Sequence, residues 1–166
     1  MFPDRGIAVT LRPDELEPAW LEGDHLHVSG YALLAEPVAA AARRAVQLAR
    51  AAGARVSVDL SSWSTIEAAG APAFRLLVES LEPDLVFANE DEERVFGGPL
   101  PGAAWILKRG AAGCSFDGDE RAALPVDEVV DTTGAGDALA AGYLLGGADL
   151  ALQAAARCVV RMGSMP

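Results

Sequence analysis

Apolar and polar positions change period along the chain, and the changes mark its elements. "HLHVSGYALL", His25 to Leu34, reads as a strand running into a loop. "PVAAAARRAVQLARAAG", Pro37 to Gly53, is a helix with proline near its start and glycine closing it. "ARVSVDL", Ala54 to Leu60, alternates and reaches an acid near its end, as a buried strand does. "APAFRLLVESL", Ala71 to Leu81, is a second helix with Pro72 in its first turn. "PDLVFAN" is a short apolar strand, "EDEERVF" a short helix, and "AAWILKRG" another strand. "GCSFDGDERAALP" has the form of a hairpin, with Asp117-Gly118 as its turn. A glycine-containing loop then feeds an alanine-rich helix, and a last helix runs through "DLALQAAARCVV", Asp149 to Val160.

Strands alternating with helices predict an α/β fold, three layers deep, with a mostly parallel sheet covered on both faces. Ligands in such sheets lie beyond the carboxyl ends of the strands. Those ends are Gly30, Asp59, Asn89 and Lys108-Arg109, and the loop from Asp131 to Gly136 precedes a helix expected at the same crevice. Three tryptophans, Trp20, Trp63 and Trp105, are read as packing residues. His25 and His27 share one strand face with no third ligand nearby in sequence, which argues against a metal site.

Composition narrows the choice of partner. The chain has 166 residues, enough for one domain, with 51 % hydrophobic and 22 % charged residues. A net charge of −11 argues against nucleic acid and anionic membranes as partners. The start "MFPDRG" lacks the apolar core of a signal peptide, and "ALAAGYLLGGADLALQ" is interrupted by Asp149 and Gln153. A cytoplasmic location is the expectation. Cys114 and Cys158 lie far apart and read as small buried residues.

The chemistry concentrates in "VDTTGAGDALAAGYL", Val130 to Leu144. Gly134-x-Gly136 fails the dinucleotide fingerprint, because Leu139 stands at its third glycine, and no Gly-Lys-Ser/Thr follows for a Walker loop. What remains is a glycine loop at a helix N-terminus, where unpaired N–H groups and the helix dipole favour an anion. Asp137 either decorates that dipole or accepts a proton from a hydroxyl attacking a phosphate.

"DTTGAGD", Asp131 to Asp137, resembles the DTxGAGD signature of the PfkB or ribokinase-like carbohydrate kinases. "NEDE", Asn89 to Glu92, is similar to that family's NxxE, and "ILKRGAAG", Ile106 to Gly113, to its strand-and-glycine nucleotide segment. "HVSGY" resembles the strand ending in a substrate-side glycine; "VSVDLSSW" resembles the strand ending in Asp-x-Asn, with Ser61 in place of the Asn; and "PDRGIAVTL" resembles the return from the lid. The resemblance implies a single ribokinase-like domain over residues 1–166, N-terminally truncated. Residues 1–30 would be a remnant of the lid and substrate side, and 31–166 the nucleotide-binding part.

The resemblance implies an ATP-dependent phosphotransferase acting on a hydroxyl of a sugar or nucleoside. Asp137 would be the general base. Thr133, Gly134, Ala135 and Gly136 would form the anion hole, with Lys108, Gly110 and Gly113 completing the ATP-binding set. Asn89 and Glu92, which also read as a capping box, would organise Mg²⁺ through water. Asp131 would either fold the loop or shape a monovalent-cation site for K⁺. A homodimer is compatible with the family. The other reading is a non-catalytic nucleotide-binding fragment that has lost the acceptor site.

Overall fold

The computed structural model describes residues 9–164. Residues 3–8 of "PDRGIAVTL" fall outside them, as does the end of the chain after Ser164. Six strands follow one another in chain order across a mixed sheet, β1 (His25–Ser29), β2 (Arg55–Asp59), β3 (Leu85–Asn89), β4 (Ala104–Lys108), β5 (Cys114–Phe116) and β6 (Asp119–Arg121). The helices are α1 (Val38–Ala51), α2 (Trp63–Ala69), α3 (Ala71–Glu79), α4 (Glu90–Phe96) and α5 (Ala135–Val159). The chain divides into two compact units, Met1–Trp105 and Ile106–Pro166.

In the first unit β1, β2 and β3 are parallel, with Val28 opposite Val58 and Val58 opposite Val86. Parallel neighbours require crossover connections, and α1 and the α2–α3 pair supply them. Leu85, Val86, Phe87 and Ala88 are all buried, which explains the unbroken apolar run of β3. Ile66, Phe74, Val78 and Phe87 are fully buried and form the centre of this unit's core. Phe74 meets Phe96 edge to face, with ring centroids 6.1 Å apart.

Helix α2 was not among the elements expected from the sequence. Its segment, "WSTIEAA", buries only Ile66, so no apolar stripe announces it. Gly70, at φ 87°, ends α2 and lets α3 begin immediately. The tryptophans also depart from expectation. Trp105 is buried, but Trp20 and Trp63 are exposed and do not serve as core packing.

In the second unit β4, β5 and β6 are antiparallel. The β5–β6 turn is Asp117-Gly118, with φ of 53° and 89°, the double left-handed geometry that Asp-Gly favours in two-residue hairpins. Helix α5 is two helices in sequence. Gly146 and Gly147 leave helical geometry (φ −157°, ψ 18°; φ 76°, ψ −164°), and the chain turns back on itself there. By length and composition α5 could cross a membrane. Its helical backbone is interrupted at those glycines, so neither half is long enough alone.

Candidate functional site

The loop ahead of α5 is held from several sides within the second unit. The Asp131 carboxylate accepts the N–H of Thr133 at 2.9 Å, an Asx-type turn, and the N–H of Gly163 at 2.9 Å. These bonds hold the Asp131 carboxyl below the usual aspartate range, the Thr133 N–H contributing most. Of the two readings of Asp131, loop folding is thus seen directly in its bonds. The Val159 carbonyl accepts the N–H groups of Val130 at 2.8 Å and Asp131 at 3.2 Å. The Cys158 thiol donates to the Thr133 carbonyl at 3.4 Å.

Gly134 has φ 80°, a left-handed conformation at the N-cap of α5. A Cβ at this position would lie 2.6 Å from the Cβ of Ser164. Glycine is therefore required twice over, by the backbone and by the chain packed against it. Ala135 donates to the Thr132 carbonyl at 3.2 Å, and Ala138 to Gly134 at 2.9 Å. Gly136 and Asp137 fall in the first turn, where N–H groups have no acceptor within the helix.

Lys108, at the end of β4, reaches the same first turn. Its Nζ stands 3.4 Å from the place a Cβ on Gly136 would occupy. A lysine side chain beside the positive end of a helix dipole adds to the attraction that the helix N-terminus has for an anion. The carboxylate of Asp137 is exposed at the edge of this turn, reachable by a second molecule. Arg109 is engaged by Glu120.

Gly110 and Gly113 separate in role. Gly110 has φ 54° and open space where a Cβ would stand, which leaves its backbone approachable. Gly113 has φ 105°, and its Cβ would lie 2.0 Å from the Arg121 carbonyl oxygen. Packing against the end of β6 and the residues just after it is thus sufficient reason for glycine at 113.

In the first unit, Asn89 ends β3 and caps α4. Its side-chain oxygen accepts the Glu92 N–H at 2.9 Å, while Glu92 accepts the Asn89 N–H and the Asn89 side-chain amide, both at 2.8 Å. Glu92 is only 3 % exposed. The capping box read from the sequence is therefore formed, with both Glu92 oxygens bonded.

At the ends of β1 and β2, Gly30 allows a close approach, since a Cβ would lie 2.7 Å from the Leu60 carbonyl oxygen. Ser61, at φ 70°, accepts the Gly30 N–H at 3.1 Å. His25 and His27 both contact the Ser57 hydroxyl, through Nε2 at 2.8 Å and Nδ1 at 2.7 Å. Among the described residues no group of three or more His, Cys, Asp or Glu is placed to hold a metal ion. Cys114 is buried, which pushes its thiol pKa up to about 12, whereas Cys158 is only partly covered.

The residues sequence reasoning missed are those that brace the loop: Cys158, Val159, Gly163 and Ser164. Each acts through a contact with a residue about thirty positions away, and no local pattern encodes that.

A mixed six-stranded sheet with helices, ending in a glycine loop and a helix N-terminus, defines the ribokinase-like α/β class. The chain belongs to the pfkB family of carbohydrate kinases, whose pattern it matches over residues 3–165. It is similar to the adenosine kinase from Sinorhizobium meliloti at 24 % identity, with a TM-score of 0.84, 95 % of this chain and 56 % of that one being covered. It is also similar to an E. coli protein assigned to ribokinase II, solved in complex with ATP and Mg²⁺, at 28 % identity and a TM-score of 0.74, covering 94 % of this chain and 59 % of the other. A PfkB protein from Polaromonas sp. JS666 matches at 27 % identity and a TM-score of 0.65, covering 91 % of this chain and 57 % of that one. The chain therefore spans less than two thirds of the length of these solved relatives.

Proposed function

We propose that this chain carries the phosphate-handling part of an ATP-dependent phosphotransferase whose acceptor is a hydroxyl of a sugar or nucleoside. The carrying observation is the approach of Lys108 to the first turn of α5 at Gly136. A lysine next to a helix N-terminus offers phosphate oxygens both a cation and N–H donors. The family and the ATP and Mg²⁺ found in the E. coli relative support the same ligand.

In this reading the N–H groups of Gly134 and Gly136 and the Lys108 ammonium neutralise charge on the transferring phosphate, while the Ala135 N–H holds the loop through the Thr132 carbonyl. Phosphoryl transfer needs positioning and charge neutralisation more than covalent chemistry, so such a loop supplies most of what is required. Asp137 takes the acceptor's proton as the acceptor oxygen bonds to the γ-phosphorus and the bond from that phosphorus to the ADP oxygen breaks, releasing ADP. Asn89 and Glu92 fit Mg²⁺ in one manner only. Their mutual bonds occupy both Glu92 oxygens, so contact through the ion's waters is what they offer. Mg²⁺ held in this way would supply positive charge for neutralisation.

Mg·ATP supplied with a panel of sugars and nucleosides tests the reading. Acceptor-dependent ADP release that Asp137→Asn abolishes is the expected result. ADP release that persists in the variant assigns the base elsewhere. Nucleotide binding without transfer to any acceptor favours the non-catalytic reading.

A further inference from the structure

We propose that Gly142, buried inside α5, is a positioning residue for loop 131–137: it lets the returning half of the helix come close enough to brace the loop. The inference rests on the phosphate-site reading for its consequence, but its geometry stands within the second unit alone.

Gly142 has ordinary helical geometry, so no backbone strain demands glycine. In a helix interior glycine is worse than alanine by about 1 kcal/mol, which makes its presence costly without a contact to explain it. The contact is close. A Cβ at 142 would lie 2.7 Å from the Leu150 carbonyl oxygen and 2.8 Å from the Ala151 Cα. These are backbone atoms of the returning half, which cannot swing away as a side chain could. The two halves of α5 therefore meet backbone to backbone, immediately beyond the Gly146-Gly147 turn.

The first half is anchored independently. Tyr143 stacks on Phe116 of β5, with ring centroids 5.3 Å apart and planes within 9°. Added bulk at 142 must then displace the returning half rather than the anchored one. The far end of that half carries the braces of the loop: the Val159 carbonyl on Val130 and Asp131, and the Cys158 thiol on Thr133. The chain just beyond it adds the Gly163 N–H on Asp131 and Ser164 against Gly134. A shift of the returning half is thus transmitted to Thr133 and Gly134, which Gly142 itself does not touch. Misplacement by about 1 Å from a distant residue can cost up to about 100-fold in function.

Cys158 provides a readout that needs no nucleotide. Its thiol reacts with a disulfide reagent when freed from Thr133, while buried Cys114 stays silent. The experiment compares Gly142→Ala with Gly118→Ala, which strains the β5–β6 turn at φ 89° where nothing lies within 4 Å. Leu150→Ala, which removes the side chain packed against Gly146 at the turn of α5, serves should Gly142→Ala not fold. The expected result is faster Cys158 labelling and Mg·ATP affinity weakened about tenfold in Gly142→Ala, with both at wild-type values in Gly118→Ala. Labelling and affinity unchanged in both hairpin variants overturn the inference. Failure of the wild-type chain to bind Mg·ATP overturns the functional reading instead, and Cys158 labelling then decides the positioning role by itself.

Discussion

The Lys108 ammonium stands 3.4 Å from the point where a Cβ on Gly136 would be, so the side chain of β4's last residue faces the first turn of α5 across a space that glycine keeps open. The neighbour is the far end of a flexible side chain and not backbone. Gly136→Ala should therefore fold, with helix propensity offering up to about 1 kcal/mol of added stability. The same methyl group stands between lysine and helix, where a phosphate would sit. Calorimetry should show Mg·ATP binding about tenfold weaker while the melting temperature holds or rises.

Asp137→Asn separates a base from a dipole decoration. Asparagine is nearly isosteric but does not take up a proton at neutral pH. Loss of a general base typically costs about 10²–10⁴-fold in kcat. Loss of a favourable dipole interaction costs only about 0.3–1 kcal/mol of stability. The base reading predicts a large fall in kcat with nucleotide affinity kept or improved, because a negative charge beside the phosphates is gone. Melting temperature and single-turnover kinetics on one preparation distinguish the two.

Glu92→Gln probes the buried capping box. Both Glu92 oxygens accept from Asn89, so an amide NH₂ must face one of those donors. One buried pairing is lost, at about 1–3 kcal/mol, visible in urea unfolding. The Mg²⁺ concentration needed for half-maximal ATP binding should also rise. A stability loss with unchanged Mg²⁺ dependence would leave the pair a cap alone.

Much of this architecture was legible because it is local. The continuous apolar run of β3, the Asp117-Gly118 turn and the Asn89-to-Glu92 box each rest on residues within a few positions of one another. Helix α2 escaped because it buries a single apolar side chain, and Trp63, which looked like core, lies at its exposed start. Gly113 resembled a nucleotide glycine in sequence, yet the structure gives it a packing reason at the Arg121 carbonyl. The loop's own motif could be read, but not the braces on it. Cys158 on Thr133 and Ser164 on Gly134 exist only after α5 has folded back at Gly146-Gly147.

Asp131 makes the loop sensitive to acid. Its folded-state pKa lies below the ordinary value because Thr133 and Gly163 donate to the carboxylate. A group with a depressed folded pKa stabilises the folded state above its unfolded pKa, about 3.9 for aspartate, and loses that contribution as pH falls through the folded value. Acid should loosen loop 131–136 below about pH 4. Amide exchange at Thr133 and Gly163 should rise there in the wild-type chain. Asp131→Asn, with one acceptor in place of two, should show raised exchange already at neutral pH and no further rise tied to this group.

Phosphate recognition by Lys108 and the first turn of α5 is tested most directly by calorimetric titration of Mg·ATP, and of adenosine for comparison, into wild-type and Lys108→Met chains. The expected result is saturable Mg·ATP binding by the wild-type chain that weakens with salt and falls at least about tenfold in Lys108→Met, while adenosine barely distinguishes the two. Wild-type binding of Mg·ATP that is absent, or unchanged by Lys108→Met, would contradict the phosphate site.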